Sequence, residues 1–431
     1  MQRKIANALV AWKNGAYRKP LLLQGARQVG KTYTLLEFGR LYYENAAYVN
    51  FETSTTARTT FDEDIMPDKL IPKLSVLTGE RIVKEKTLLI FDEVQACEKA
   101  LTSLKYFCEF APEYHVIASG SLLGIAVNRK QFSFPVGKVD RLTMYPMDLE
   151  EFLAAFGENA LIKKIRDCYD TNAPMNAAYH KALTEYYRQY LVIGGMPEAI
   201  AKYVDTKDFR LVRLTQQNIL ADYLDDMSKY NSAAESKKTR LTYGNITVQL
   251  SKPNTKFQYK LLKSGGKASE FEDALQWLEL TGIVDKCYLT EKVMLPLEDY
   301  RTTDAFKIYM SDIGLLCANK ALRPDDILYS APGLNDFKGG MVENYVGQQL
   351  KINGYNKYCW VSGATAEVDF IIEKDGGVIP IEVKSADNTQ AKSLNHYIKL
   401  YKPPYAIKIA DKNFGYHDET KTIPLYAAFC I

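Results

Sequence analysis

Gly25-Ala26-Arg27-Gln28-Val29-Gly30-Lys31-Thr32 keeps the spacing G-x-x-x-x-G-K-[ST] in full, and no other stretch of the chain limits its fold as tightly. Glycines at the first and sixth positions let a loop curl until successive backbone N–H groups point at phosphate oxygens. A helix behind the loop adds the positive end of its dipole. Such a loop needs a strand before it and a helix after it. Leu21-Leu22-Leu23 is an apolar strand, and Thr32 to Tyr43 reads as the helix. The pattern predicts an α/β fold with a parallel sheet. In it Gly25, Ala26, Arg27, Gln28, Val29, Gly30, Lys31, Thr32 and Tyr33 form the nucleotide-binding stretch. Lys31 reaches the terminal phosphates and the Thr32 hydroxyl ligates Mg²⁺, so ATP and Mg²⁺ are the expected cofactors.

The alternation continues. Ala47 to Phe51 reads as a strand, Pro67 to Val83 as helical, Leu88 to Phe91 as a buried strand, Lys99 to Phe110 as a helix and His115 to Ala118 as a strand. Asp92-Glu93 ends the buried strand at the edge where open α/β sheets bind ligands. Asp92 is the candidate Mg²⁺ holder, and Glu93 the candidate base that orients and deprotonates the attacking water. Ser119-Gly120-Ser121 ends the next strand in hydroxyls, with Ser119 placed to contact the γ-phosphate or to position the water.

With 431 residues the chain has room for two to four domains. A net charge of +3 neither demands nor excludes nucleic acid, so any basic patch must be local. Seven Cys without a C-x-x-C pair, and only four His, argue against a disulfide framework or a zinc site. No apolar run approaches the ~20 residues that span a bilayer, and Met1 to Trp12 does not read as a signal peptide. The expectation is a cytoplasmic protein with no membrane partner.

Gly25 to Thr32, Asp92-Glu93, Ser119-Gly120-Ser121, Tyr145-Pro146-Met147-Asp148-Leu149-Glu150-Glu151-Phe152 and Gly194-Gly195-Met196-Pro197 occur in an order that resembles the AAA+ type ATPases of archaea and bacteria carrying a C-terminal DUF4143 domain. The resemblance covers nearly the whole chain. It implies an ATPase core over residues 1–145, a helical lid or linker region over 146–235 and a DUF4143 domain over 301–431. It also implies possible assembly as a homo-oligomer. The family's usual Gly-Arg stands here as Gly137-Lys138, which leaves Arg141 and Arg129 as candidate arginine fingers.

Asn231 to Lys238 is polar and reads as a linker. In residues 236–300, the amphipathic stretch Ala268 to Leu280, then Gly282 and a strand at Ile283-Val284, suggest a winged-helix-like module. Lys252, Lys256, Lys260, Lys263 and Lys267 precede it. They suit either phosphate contacts with DNA or RNA or a solvated face on a protein-packing module. Further on, Glu367 to Glu373 alternates with period two, Asp375-Gly376 is a type I′ turn signal, and Ile379 to Lys384 is the return strand. A two-residue loop sets Lys374 opposite Gly377 and therefore Asp369 opposite Glu382, with Lys384 on the same face. This resembles the PD-(D/E)xK nuclease fold, with Val368 in place of its Pro. The resemblance implies Glu343, Asp369 and Glu382 as metal-holding acids and Lys384 as the lysine that polarises water. The alternatives are a salt-bridge ladder or a nuclease-like domain that binds without cutting.

Overall fold

The structure is a computed structural model that describes residues 1, 3–121, 135–229, 232–252, 256–329, 335–363, 366–385 and 392–431. It divides into two compact units. One is residues 2–145 with 280–282, and the other is Met1, 146–279 and 283–431. No described helix is long and apolar enough to cross a membrane.

In the first unit, strands β1 (Leu21–Gly25), β2 (Asn45–Asn50), β3 (Thr87–Asp92), β4 (His115–Ser121) and β5 (Asp140–Met144) make one sheet in the order β2-β3-β4-β1-β5. Every pairing is parallel. Helices α1 (Ile5–Lys13), α2 (Lys31–Tyr42), α3 (Thr55–Glu63), α4 (Pro67–Thr78) and α5 (Glu98–Phe110) accompany it. β1 and β3 are buried along their whole length, as continuous apolar runs in a covered parallel sheet should be. Phe51, Phe61, Phe91 and Phe107 pack edge to face in the core beside β3.

Two elements differ from the sequence expectation. The helical stretch ends at Thr78 rather than Val83, because Gly79 takes the left-handed conformation that stops a helix. β5 has no apolar run, since Asp140-Arg141-Leu142-Thr143 is half-exposed as an edge strand. It is held by its pairing to β1.

The second unit carries an eight-stranded mixed sheet in the order β12-β13-β11-β10-β9-β8-β6-β7. Its strands are β6 (Val284–Thr290), β7 (Arg301–Met310), β8 (Tyr358–Ser362), β9 (Ala366–Lys374), β10 (Gly377–Val383), β11 (Ala406–Ala410), β12 (Gly415–His417) and β13 (Thr420–Pro424). From Ala233 on, the stretch expected as a linker is instead helical. Ser232 and Glu235 form a capping box that starts the helix Ala233–Leu250. That helix escapes a hydrophobicity reading because its buried face includes Ser236, Thr239, Thr242 and Gln249.

The helices Ala233–Leu250 and Ala268–Leu280 do precede the antiparallel pair β6 and β7. The pair is not a free-standing wing, however: β6 also pairs in parallel with β8, within the large sheet. The boundary expected at residue 300 thus falls between two hydrogen-bonded strands. One division between the units lies between Tyr145 and Pro146.

Candidate nucleotide site and C-terminal carboxylate cluster

The strand order brings the carboxyl ends of β1, β4 and β3 side by side, so Gly25, Ser119 and Asp92 share one edge of the sheet. Asp92 is 1% exposed, and both of its oxygens are occupied by donors. Thr32 Oγ1 donates to Oδ2 at 2.7 Å and Tyr48 OH to the same oxygen at 2.9 Å. Ser119 Oγ and the Glu93 N–H donate to Oδ1. All four are uncharged groups. Lys31, 7% exposed, donates instead to the carbonyls of Gly25 (3.0 Å) and Ala26 (2.9 Å). Burial pushes its ammonium down to about 8, partly opposed by the fields of Glu93 and Asp92.

Two loop features follow from local sterics. Gly30 caps α2 with φ 93°, a conformation that costs a residue with a side chain about 1–2 kcal/mol. A Cβ on Gly25 would lie 2.3 Å from the Met144 carbonyl oxygen, so this glycine also serves the close approach of β1 to the end of β5. Glu93 is itself left-handed (φ 54°) and accepts a hydrogen bond from Gln95 Nε2. The carboxylate therefore stands at the sheet edge just past the strand.

Most of the residues expected here are brought together: the loop, Lys31, Thr32, Asp92, Glu93 and Ser119. Tyr33 lies in the first turn of α2 with its side chain 58% exposed. Arg141 lies on the edge strand opposite Leu22, three residues before that strand ends, and is exposed rather than gathered around Asp92. Arg129 lies outside the described residues. Two contributors escaped the sequence reading. Tyr48 reaches Asp92 from β2, with Asn50 Nδ2 donating to its hydroxyl at 3.3 Å. Arg3 spans 2.7 Å to the Val29 carbonyl and 2.7 Å to that of Tyr145. The polar alternation Tyr48-Val49-Asn50 was a signal for the first. Nothing in the local pattern marks the second.

In the second unit the counted register holds. Gly377 pairs with Lys374 and Ile381 with Phe370, across a loop in which Asp375 and Gly376 both have positive φ, as type I′ requires. Asp369 Oδ2 accepts from the Val383 N–H at 2.8 Å, and Lys384 Nζ donates to Glu382 at 2.5 Å. Pro380 was expected at an edge or in a non-bonded position. It sits on a central strand, but the pairing of β10 with β11 begins only at Ile381, so the missing N–H falls outside it.

The acids are not arranged as expected. Lys307, on β7 and 1% exposed, lies 2.6 Å from Glu343 and 2.6 Å from Glu367. Tyr309 OH donates to the same Glu343 oxygen at 2.5 Å. Burial disfavours the charge on Lys307, but Glu343, Asp369 and Glu367 outweigh it and hold its pKa well above the ordinary lysine range. Burial, then Glu343 and Glu382, push Asp369 well up, and burial also raises Glu382. Glu382 Oε2 is buried without a hydrogen-bond partner. Among the described residues no three His, Cys, Asp or Glu side chains are grouped to hold a metal ion. Of the three acids expected to hold metal, Glu343 has its Oε1 engaged by Lys307 and Tyr309. Lys307 was not anticipated, because a lysine in a strand of mixed polarity (Arg301 to Met310) carries no sign of full burial.

A parallel sheet in this order, with a glycine-rich loop, a hydroxyl on the first helical turn and an acid at the strand end, defines a P-loop nucleotide-binding fold. Comparison with known proteins agrees. Residues 17–153 match the family model described as AAA domain, residues 338–428 the domain of unknown function DUF4143, and residues 184–326 the domain of unknown function DUF8612. No curated protein matches the sequence. Similar solved structures include the Walker-type ATPase of Pyrococcus abyssi, at 12% identity and TM-score 0.46, over 74% of this chain and 95% of that one. The ADP form of the Orc2 protein of Aeropyrum pernix is 12% identical, TM-score 0.29, over 78% and 93%. AMPPCP-bound DnaA of Aquifex aeolicus is 13% identical, TM-score 0.28, over 64% and 87%. These likenesses are too distant to carry a functional argument.

Proposed function

We propose that this chain binds ATP with Mg²⁺ in the Gly25–Thr32 loop and hydrolyses it. The observation that carries this reading is the Thr32 hydroxyl 2.7 Å from a buried Asp92 whose other close donors are all uncharged. Such a carboxylate is oriented but not neutralised, which suits a divalent cation shared between a hydroxyl and an acid. Bound Mg²⁺ would neutralise charge building on the transferring phosphoryl group. Lys31 exchanges the Gly25 and Ala26 carbonyls for phosphate oxygens. Thr32 and Asp92 would hold the metal from the protein side. Glu93 takes the proton of the attacking water once it leaves Gln95, and Ser119 keeps Asp92 in place. Arg141, on the exposed edge strand opposite Leu22, is a candidate finger toward a second copy in a homo-oligomer.

ATP use coupled to DNA or RNA binding or cleavage by the C-terminal domain is the output that its resemblance to a nuclease supports. The ion-paired Lys307 favours the other output, a regulatory ATP switch whose later domains bind a partner without cutting. ATP turnover by wild type and by Lys31→Ala tests the first proposal, and equal turnover in both would sink it. Incubation of single- and double-stranded DNA and RNA with Mg²⁺ or Mn²⁺, with and without ATP, decides the output. Cleavage that Asp369→Ala abolishes would overturn the switch.

A further inference from the structure

Four acids among the described residues of the second unit are linked through shared charges, though no three are grouped as metal ligands: Glu343 from the helix Asn335–Ile352, Glu367 and Asp369 from β9, and Glu382 from β10. Two lysines answer them. Lys384 lies on the same stretch of chain as Glu382 and is part of the pattern that resembles a nuclease. Lys307 belongs to no such pattern. It arrives from β7, is fully enclosed, and is 2.6 Å from each of two acids on different elements. A lysine is almost never buried this deeply unless its charge is matched. This one is matched by the carboxylates that a metal would otherwise recruit.

We propose that Lys307 is the resident cation of this cluster and keeps divalent metals out, leaving a latent metal centre that opens when the ammonium is removed. Three observations support this. Glu343 Oε1 already accepts from both Lys307 and Tyr309, so that oxygen is taken up by the lysine and the phenol. A divalent ion placed between Asp369 and Glu382 would face a buried ammonium with little water to screen the repulsion. Acceptors for a metal nevertheless remain, Glu382 Oε2 among them, which has no partner in the cluster. Ligand atoms are therefore present, and what opposes a second cation is the ammonium already held among them. This inference does not depend on ATP hydrolysis and stands or falls separately from it.

The test is Mn²⁺ titration of the full-length, nucleotide-free protein, followed by electron paramagnetic resonance. The samples are wild type, Asp369→Asn, Lys307→Met and the double variant. Wild type and Asp369→Asn should bind Mn²⁺ identically. Lys307→Met should gain a tight Mn²⁺ site that the added Asp369→Asn removes. A wild-type Mn²⁺ site lost in Asp369→Asn would overturn the proposal. So would a folded Lys307→Met, verified by circular dichroism, that binds no more Mn²⁺ than wild type. If Lys307→Met does not fold, the wild-type and Asp369→Asn isotherms decide: superimposable curves uphold the assignment and a missing site refutes it.

Discussion

Two acidic sites stand at strand ends in this molecule, and they handle their charge in opposite ways. Asp92 is enclosed by a hydroxyl on each side, a tyrosine and a backbone N–H, while the nearby Lys31 is directed onto carbonyls. The Asp369 cluster holds a buried ammonium in contact with its acids. The first arrangement keeps a negative charge in reserve for a cation that arrives with the nucleotide. The second already holds a cation of its own. Acidic residues at the right spacing therefore do not by themselves define a metal site. The cation supplied by the rest of the fold decides.

The comparison can be broken in several places. Its largest expected effect is Glu93→Gln, which should retain ATP but turn it over ~10²–10⁴-fold more slowly, as removal of a general base does. Isotope-labelled ATP binding beside a phosphate-release assay checks both halves. Next, Lys307→Met measured without metal should lose about 3–5 kcal/mol of stability, because a buried charge pair has lost one member. Asp92→Asn, which loses only hydrogen bonds to neutral donors, should lose under ~2 kcal/mol. Urea denaturation compares them, and equal losses would erase the distinction drawn above.

A pH series sharpens the contrast further. Phosphate binding needs the charged form of Lys31, whose pKa in the free protein is about 8. Above that pH the bound state holds more protons than the free state, so ATP affinity should fall as pH rises, by up to about tenfold per unit. A flat affinity from pH 7 to 10 would contradict that. The smallest effect is Tyr48→Phe. Loss of one donor to Asp92, about 0.5–1.5 kcal/mol, should shift the Mg²⁺ needed for half-maximal turnover by a few-fold.

The first unit was largely legible because its strands are continuous apolar runs and its loop obeys a spacing set by phosphate geometry. The exceptions have physical causes. β5 is an edge strand without an apolar signature, and Tyr48 joins the site only through sheet pairing. In the second unit the Asp375-Gly376 turn fixed the register of β9 and β10, because a two-residue loop leaves no freedom. The helix after Ser232 was missed because it buries threonines. Lys307 was missed because the distance between it and Glu367 is set by a sheet that joins β7 to β9 through β6 and β8, and no local pattern encodes that.

Arg3 has a consequence for the loop it touches. In a trans peptide the carbonyl and the following N–H point in opposite directions. By drawing the Val29 oxygen toward its guanidinium, Arg3 turns the Gly30 N–H the other way, away from itself. Arg3 thus works as a tether that sets the polarity of one peptide in the glycine-rich loop, so a change at Arg3 would reach that loop through a single backbone plane.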